Sequence, residues 1–186
     1  MTVFSKNTNY GLDSTVYEIQ HHIDSKIAYN ATTNALGWRG TVNVYGLCYP
    51  TINDGNRVLE AYIGTGTKNK EYSRIFVNDK ITASIGFVEV GDRDLSDTRN
   101  VNVDVIVTMR LDLAYNSNLR NDELAMLQFE RVLESFYGIY EVESSKTGIE
   151  DVFSGYYFGD ILNRDIHPWL VFSMRVNLKY EDDICQ

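Results

Sequence analysis

Proline and cysteine are nearly absent from this chain, with two of each among 186 residues. So little proline excludes polyproline and collagen-like architectures. Cys48 and Cys185 lie too far apart in sequence to form a CxxC zinc or redox pattern, and two thiols do not make a disulfide framework. They read as reduced, partly buried thiols. Long apolar runs are missing too, and nothing approaches the roughly 20 residues of a membrane-spanning helix. Met1-Thr2-Val3-Phe4-Ser5-Lys6-Asn7 has neither the basic start nor the apolar stretch of a signal peptide. The expectation is a soluble protein that stays in the cell that made it, or leaves by another route. Positive charge is scarce as well. Lys and Arg total 17 against 26 Asp and Glu, a formal net charge of −9. That balance argues against free nucleic-acid binding, which needs clustered cations to displace phosphate counterions.

Histidine is the next scarcity, with three in the chain. His21 and His22 are adjacent, so on a helix their side chains diverge by about 100° and cannot grip one metal as an i, i+4 pair could. They read as part of a solvated helix face. His167 precedes Pro168 and reads as a turn residue. No GxSxG motif is present, and a Ser-His-Asp or Cys-His site has no local support. Gly64-Thr65-Gly66-Thr67-Lys68 departs from GxxxxGK[ST] and precedes a strand-like stretch, so it reads as a hairpin tip and not a phosphate loop. Asp92, Asp94 and Asp97 fail the EF-hand spacing, because Asp97 and Val103 stand where Gly and Glu are required. Asn30-Ala31-Thr32 matches the glycosylation triplet, which carries little weight without a secretory signal. On this reading the chain is not an enzyme, and it carries no catalytic residue, cofactor-binding residue, cofactor or metal ligand.

What the chain does have is apolar content of 44%, aromatic content of 12% and 13 tyrosines. This is enough to bury a core, and residues 1–186 read as a single domain. Leu12, Val16, Ile19, Ile23 and Ile27 trace one face of a helix over 12–27. Strand-like stretches follow at 41–49, 57–63, 74–77 and 83–90, with Pro50 and Asn53-Asp54-Gly55-Asn56 marking a turn. Over 101–113, apolar Val101, Val103, Val105, Val107, Met109, Leu111 and Leu113 alternate with polar residues, Ile106 being the exception. This predicts a long strand with one buried and one wet face. A second amphipathic helix is predicted over 121–137, and a closing strand over 169–180 with an acidic tail, Glu181-Asp182-Asp183. The fold class is α+β, a mainly antiparallel sheet with two amphipathic helices packed on one face. Residues 140–166 read as irregular, with a short helix near 149–153. Tyr140, Tyr156, Tyr157 and Phe158 gather there beside Gly155 and Gly159, which points to an interface.

The order of an opening helix, a sheet with a long amphipathic strand, a helix beginning Asn121-Asp122-Glu123-Leu124 and a closing strand with an acidic tail resembles the tail-terminator, tail-completion and neck-ring proteins of tailed bacteriophages. The Asn- and Tyr-rich style is similar to that of the crAss-like group. The resemblance implies a structural virion protein, assembled in the host cytoplasm, that forms a hexameric or dodecameric ring. Such a ring serves as a head-tail connector or tail terminator and meets portal, neck or tail proteins. Genome DNA passes through its bore without specific binding, and no membrane is involved. Subunits of charge −9 suit an acidic lumen that repels phosphate. Lys68, Lys70, Tyr72 and Arg74, with Tyr156, Tyr157 and Phe158, are the expected oligomer or partner contacts, and Arg93 is a further seam candidate. Two other classes compete. The tyrosine content suits a glycan- or receptor-binding adaptor, and a small enzyme would need titratable groups that converge only in the fold.

Overall fold

The computed structural model describes residues 2–3, 10–27, 37–64, 71–75, 80–94, 99–115, 120–159, 161 and 166–180, with residues 2–3, 92–94 and 140 described as backbone alone. The element order is β1 (Thr2–Val3), α1 (Gly11–Ile27), β2 (Val42–Asn53), β3 (Asn56–Tyr62), β4 (Tyr72–Arg74), β5 (Ala83–Asp94), β6 (Arg99–Arg110), α2 (Leu111–Ala114), α3 (Asp122–Glu134), β7 (Ile139–Thr147), α4 (Ile149–Val152) and β8 (Trp169–Tyr180). The strands form one sheet in the order β4-β3-β2-β5-β6-β8-β7, with β1 paired to β2. Only the β1–β2 and β2–β5 pairs are parallel; the others are antiparallel. The fold is α+β.

Helices α1 and α3 cover one face. The stripe Leu12, Val16, Ile19, Ile23 and Ile27 is fully buried, and Ala125, Phe129, Val132 and Leu133 are buried from α3. They meet Val101, Val103, Val105, Val107 and Met109 of β6 and Phe172, Met174, Val176 and Leu178 of β8 in one core. Phe129 anchors it, stacked on Trp38 at 6.1 Å between centroids and edge-on to Phe172 at 5.7 Å. Burying such a ring contributes about 1.5–3 kcal/mol. The Trp38 indole N–H donates to the Tyr115 hydroxyl at 2.8 Å, which in turn donates to Gln128 Oε1 at 2.7 Å. Buried Gln20 of α1 donates to the Val44 carbonyl at 3.1 Å and ties the helix to the sheet.

The opposite face is not uniformly wet. Tyr45, Cys48, Leu59, Ala61, Ile75, Ile106 and Val171 form a second, smaller core beneath Ile149, Phe153 and Ile161. This core explains Ile106, the one break in the alternation of β6. A register shift between Val44 and Leu47 lets β2 serve both faces, because it sends Leu47 to the helices and Cys48 to the second core. Gly86 belongs where it is, since a Cβ there would lie 2.8 Å from Cys48 Sγ and 2.9 Å from Ile75 Cγ2.

Three sequence expectations need correction. The strand predicted over 101–113 ends at Arg110, and Leu111 and Leu113 lie in the single turn α2. Pro50 is not at a turn but inside β2, opposite Leu59. The pairing of β2 with β5 stops at Leu47, so the missing N–H of Pro50 falls where no β5 partner is needed. Only Asp54 and Gly55, at φ 48° and 76°, make the two-residue turn to β3. Finally, the stretch 140–166 begins with an ordered strand, β7, before α4.

Candidate functional site

Among the described residues, β7 is an edge strand of the sheet and lies beside a helix. This strand pairs with β8 through two register shifts, between Ile139 and Val142 and between Val142 and Ser144. From Ser144 to Thr147 the register is regular, opposite Arg175, Met174, Ser173 and Phe172. Residues 143–147 are all exposed. Among the described residues no strand pairs with the other edge of β7.

Helix α3 runs beside this strand without closing on it. Between them lies a groove of about 530 Å³, lined by Met126, Leu127, Val142, Ser145 and Met174 with Glu123, Glu130 and Glu143 around it. Leu127 is 52% exposed in this lining, and Leu124, outside it on the same helix, is 45% exposed. Arg120 and Arg175 feel the charges of Glu123 and Glu143, but each is hydrogen-bonded to its own aspartate. Arg120 holds Asp122, and Arg175 grips Asp104 through two bonds of 2.8 and 3.0 Å. The groove is thus apolar at its floor and acidic at its rim.

A second recess, of about 480 Å³, lies between α1 and the end of α3, lined by Tyr17, Glu18, His21, His22, Ser135, Phe136 and Tyr137. Here the expected solvated pair of histidines is half right. His21 is exposed, but His22 packs edge-on against Phe136 at 5.5 Å and reaches the Val132 carbonyl at 3.1 Å and Ser135 Oγ at 2.8 Å. A carbonyl only accepts, so Nε2 of His22 must carry the proton. The Ser135 hydroxyl donates to the same carbonyl at 2.8 Å. The nitrogen facing the serine is therefore a donor and not a base, and the pair caps α3 without activating a nucleophile. Burial lowers the His22 pKa, opposed by the Val132 bond and aided by Lys26. The Tyr137 hydroxyl, in the turn after α3, bonds Glu18 of α1.

The expected contact residues lie in two places. Tyr72 and Arg74 are on β4, at the far edge of the sheet from β7, where Tyr72 meets Tyr62 edge-on at 5.4 Å. Lys68 and Lys70 lie outside the described residues, while Ile63 and Gly64 N–H donate to the Glu71 carbonyl at 2.7 and 3.3 Å. Tyr156 and Phe158 pack against the second core, with Arg57 over the Tyr156 ring at 5.1 Å, while Tyr157 is 44% exposed. Tyr157 N–H also bonds the Arg57 carbonyl at 2.6 Å, fixing the segment to β3. Arg93 is described as backbone alone. The α3–β7 groove was missed by sequence reasoning. Its one signal was Leu124 and Leu127, apolar residues off the buried stripe of the helix.

Among the described residues, no group of His, Cys, Asp or Glu is placed to hold a metal ion, and no helix is long and apolar enough to cross a membrane. No family model, curated protein or solved structure matches the chain.

Proposed function

We propose that this protein is a non-enzymatic assembly subunit whose work is done by protein–protein contact at the α3–β7 edge. The observation that carries this reading is the exposed strand edge beside half-exposed Leu127, with Leu124 exposed on the same helix. Native sheets normally blunt or cover such edges, because unpaired N–H and C=O groups template pairing with another chain. The resemblance in element order then supplies the context, a ring in the neck or at the tail end of a bacteriophage, with DNA passing through its bore. Net charge −9 suits that passage. Light scattering with negative-stain imaging tests it. Closed hexameric or dodecameric rings, alone or with portal or tail partners, are the expected result, and a chain that stays monomeric under all these conditions sinks the reading.

A second reading, a glycan- or receptor-binding adaptor, is favoured by one observation. Tyr49, Tyr62 and Tyr72 are 46%, 36% and 50% exposed on three neighbouring strands, beside Thr51, whose hydroxyl donates to Glu60 at 2.6 Å. Hits on a glycan array that vanish with Tyr62→Ala or Tyr72→Ala would favour it over the ring.

A further inference from the structure

The chemistry of the α3–β7 groove specifies what it takes. We infer that it docks an extended segment of a partner protein, with apolar and basic side chains alternating in register, which adds a strand to the outer edge of β7. The inference rests on the reading of this edge as the working surface, and it names the other side of the contact.

An extended occupant follows from the backbone. The two register shifts confine regular pairing to Ser144–Thr147, so the open edge offers a short straight template and not a full strand. A segment laid along it hydrogen-bonds through its main chain and turns every second side chain toward the groove. One such side chain falls over Val142, Met126, Leu127 and Met174, an apolar floor that rewards Leu, Ile, Val or Phe. The next on the same face meets the rim of Glu123, Glu130 and Glu143. None of these three carboxylates makes an ion pair with another described residue, and the arginines that feel Glu123 and Glu143, Arg120 and Arg175, are hydrogen-bonded to Asp122 and Asp104. Unpaired among the described residues, the rim favours Lys or Arg on the docked segment. A second copy joining β7 to β7 is disfavoured, because it would set carboxylates against carboxylates, so a ring built through this surface joins it head-to-tail to a different face of the next copy.

Selection of a random short-peptide display library on the full chain tests this, followed by fluorescence anisotropy with the enriched peptides. The expected consensus places Lys or Arg two positions from Leu, Ile, Val or Phe. Binding should weaken about tenfold or more in the E123K/E130K/E143K variant, and should weaken with salt. Backbone N-methylation of the peptide should abolish it, a control on the ligand that leaves the protein untouched. Absence of an enriched consensus, an acidic consensus, or binding indifferent to both the charge reversal and N-methylation would overturn the inference. Light scattering on the same preparation judges the assembly reading separately. Rings from a chain that enriches no such peptide would remove the docking inference alone. Enriched peptides on a chain that never assembles would support docking and remove the ring.

Discussion

His22 shows how a single side chain can look chemical and be structural. Its ring N–H is shared between the Val132 carbonyl and the Ser135 hydroxyl at the end of α3, and its pKa is lowered chiefly by burial. A lowered folded-state pKa means that the unfolded chain binds the proton more readily near pH 6.5. The stability tied to His22 is complete above about pH 6.5 and is lost as pH falls through the lower, folded-state value. Thermal melts should therefore show a drop in midpoint on acidification from neutral pH that is smaller in His22→Gln, whose side chain does not titrate. Equal drops in both proteins would remove the assignment. Cys48 makes the converse case. Burial pushes its thiol up to about 12, so it should be inert to a thiol reagent at pH 8 in native Cys185→Ser protein and react fully once unfolded. Tyr180 hides the one buried hydroxyl without a partner among the described residues. Its replacement by Phe removes a desolvated group without opening a cavity, and should leave stability unchanged or raise it by about 1 kcal/mol in urea titrations.

At the scale of elements, the segment from α4 to Ile161 is a strap across the second core, held by Ile149, Phe153 and Ile161. Phe153→Ala should raise hydrogen exchange over 148–159 while α1 and α3, whose buried residues belong to the larger core, stay protected. Uniform loss of protection would show instead that the two faces unfold together. These elements differ in how plainly they are written in the sequence. The stripe of α1 and the alternations of β6 and β8 were legible because each buries one face against one core, which imposes a single period. Residues 139–147 did not read as a strand, because two bulges break the period and an edge strand buries little. Pro50 suggested a turn because sequence does not reveal where a neighbouring strand ends. The strap reads as aromatic and irregular in sequence and is irregular over 153–159, yet Tyr156 and Phe158 are half-buried against the second core, and of these three aromatics only Tyr157 is exposed. The groove itself lay beyond sequence reasoning, since its lining comes from α3, β7 and β8 and converges only through sheet order.

For the whole molecule the question is whether an open sheet edge governs assembly, and surface substitutions can answer it without disturbing the fold. Leu124 and Leu127 are about half exposed on α3, while the buried stripe of that helix consists of Ala125, Phe129, Val132 and Leu133. Exposed positions away from caps and buried networks usually change stability by no more than about 0.5 kcal/mol. Leu124→Glu with Leu127→Glu should therefore melt close to the parent protein. At an interface the same change is severe, because it buries two carboxylates where apolar contact was made and adds them to the rim of Glu123, Glu130 and Glu143. The expected outcome is a folded chain whose light-scattering mass is that of a single copy under conditions where the parent forms rings. Exposed Tyr72, on β4 at the opposite end of the sheet, supplies the control. If Tyr72→Ala dissolves the rings and the α3 double substitution does not, assembly runs through the β4 edge, and the α3–β7 groove is left free for a partner.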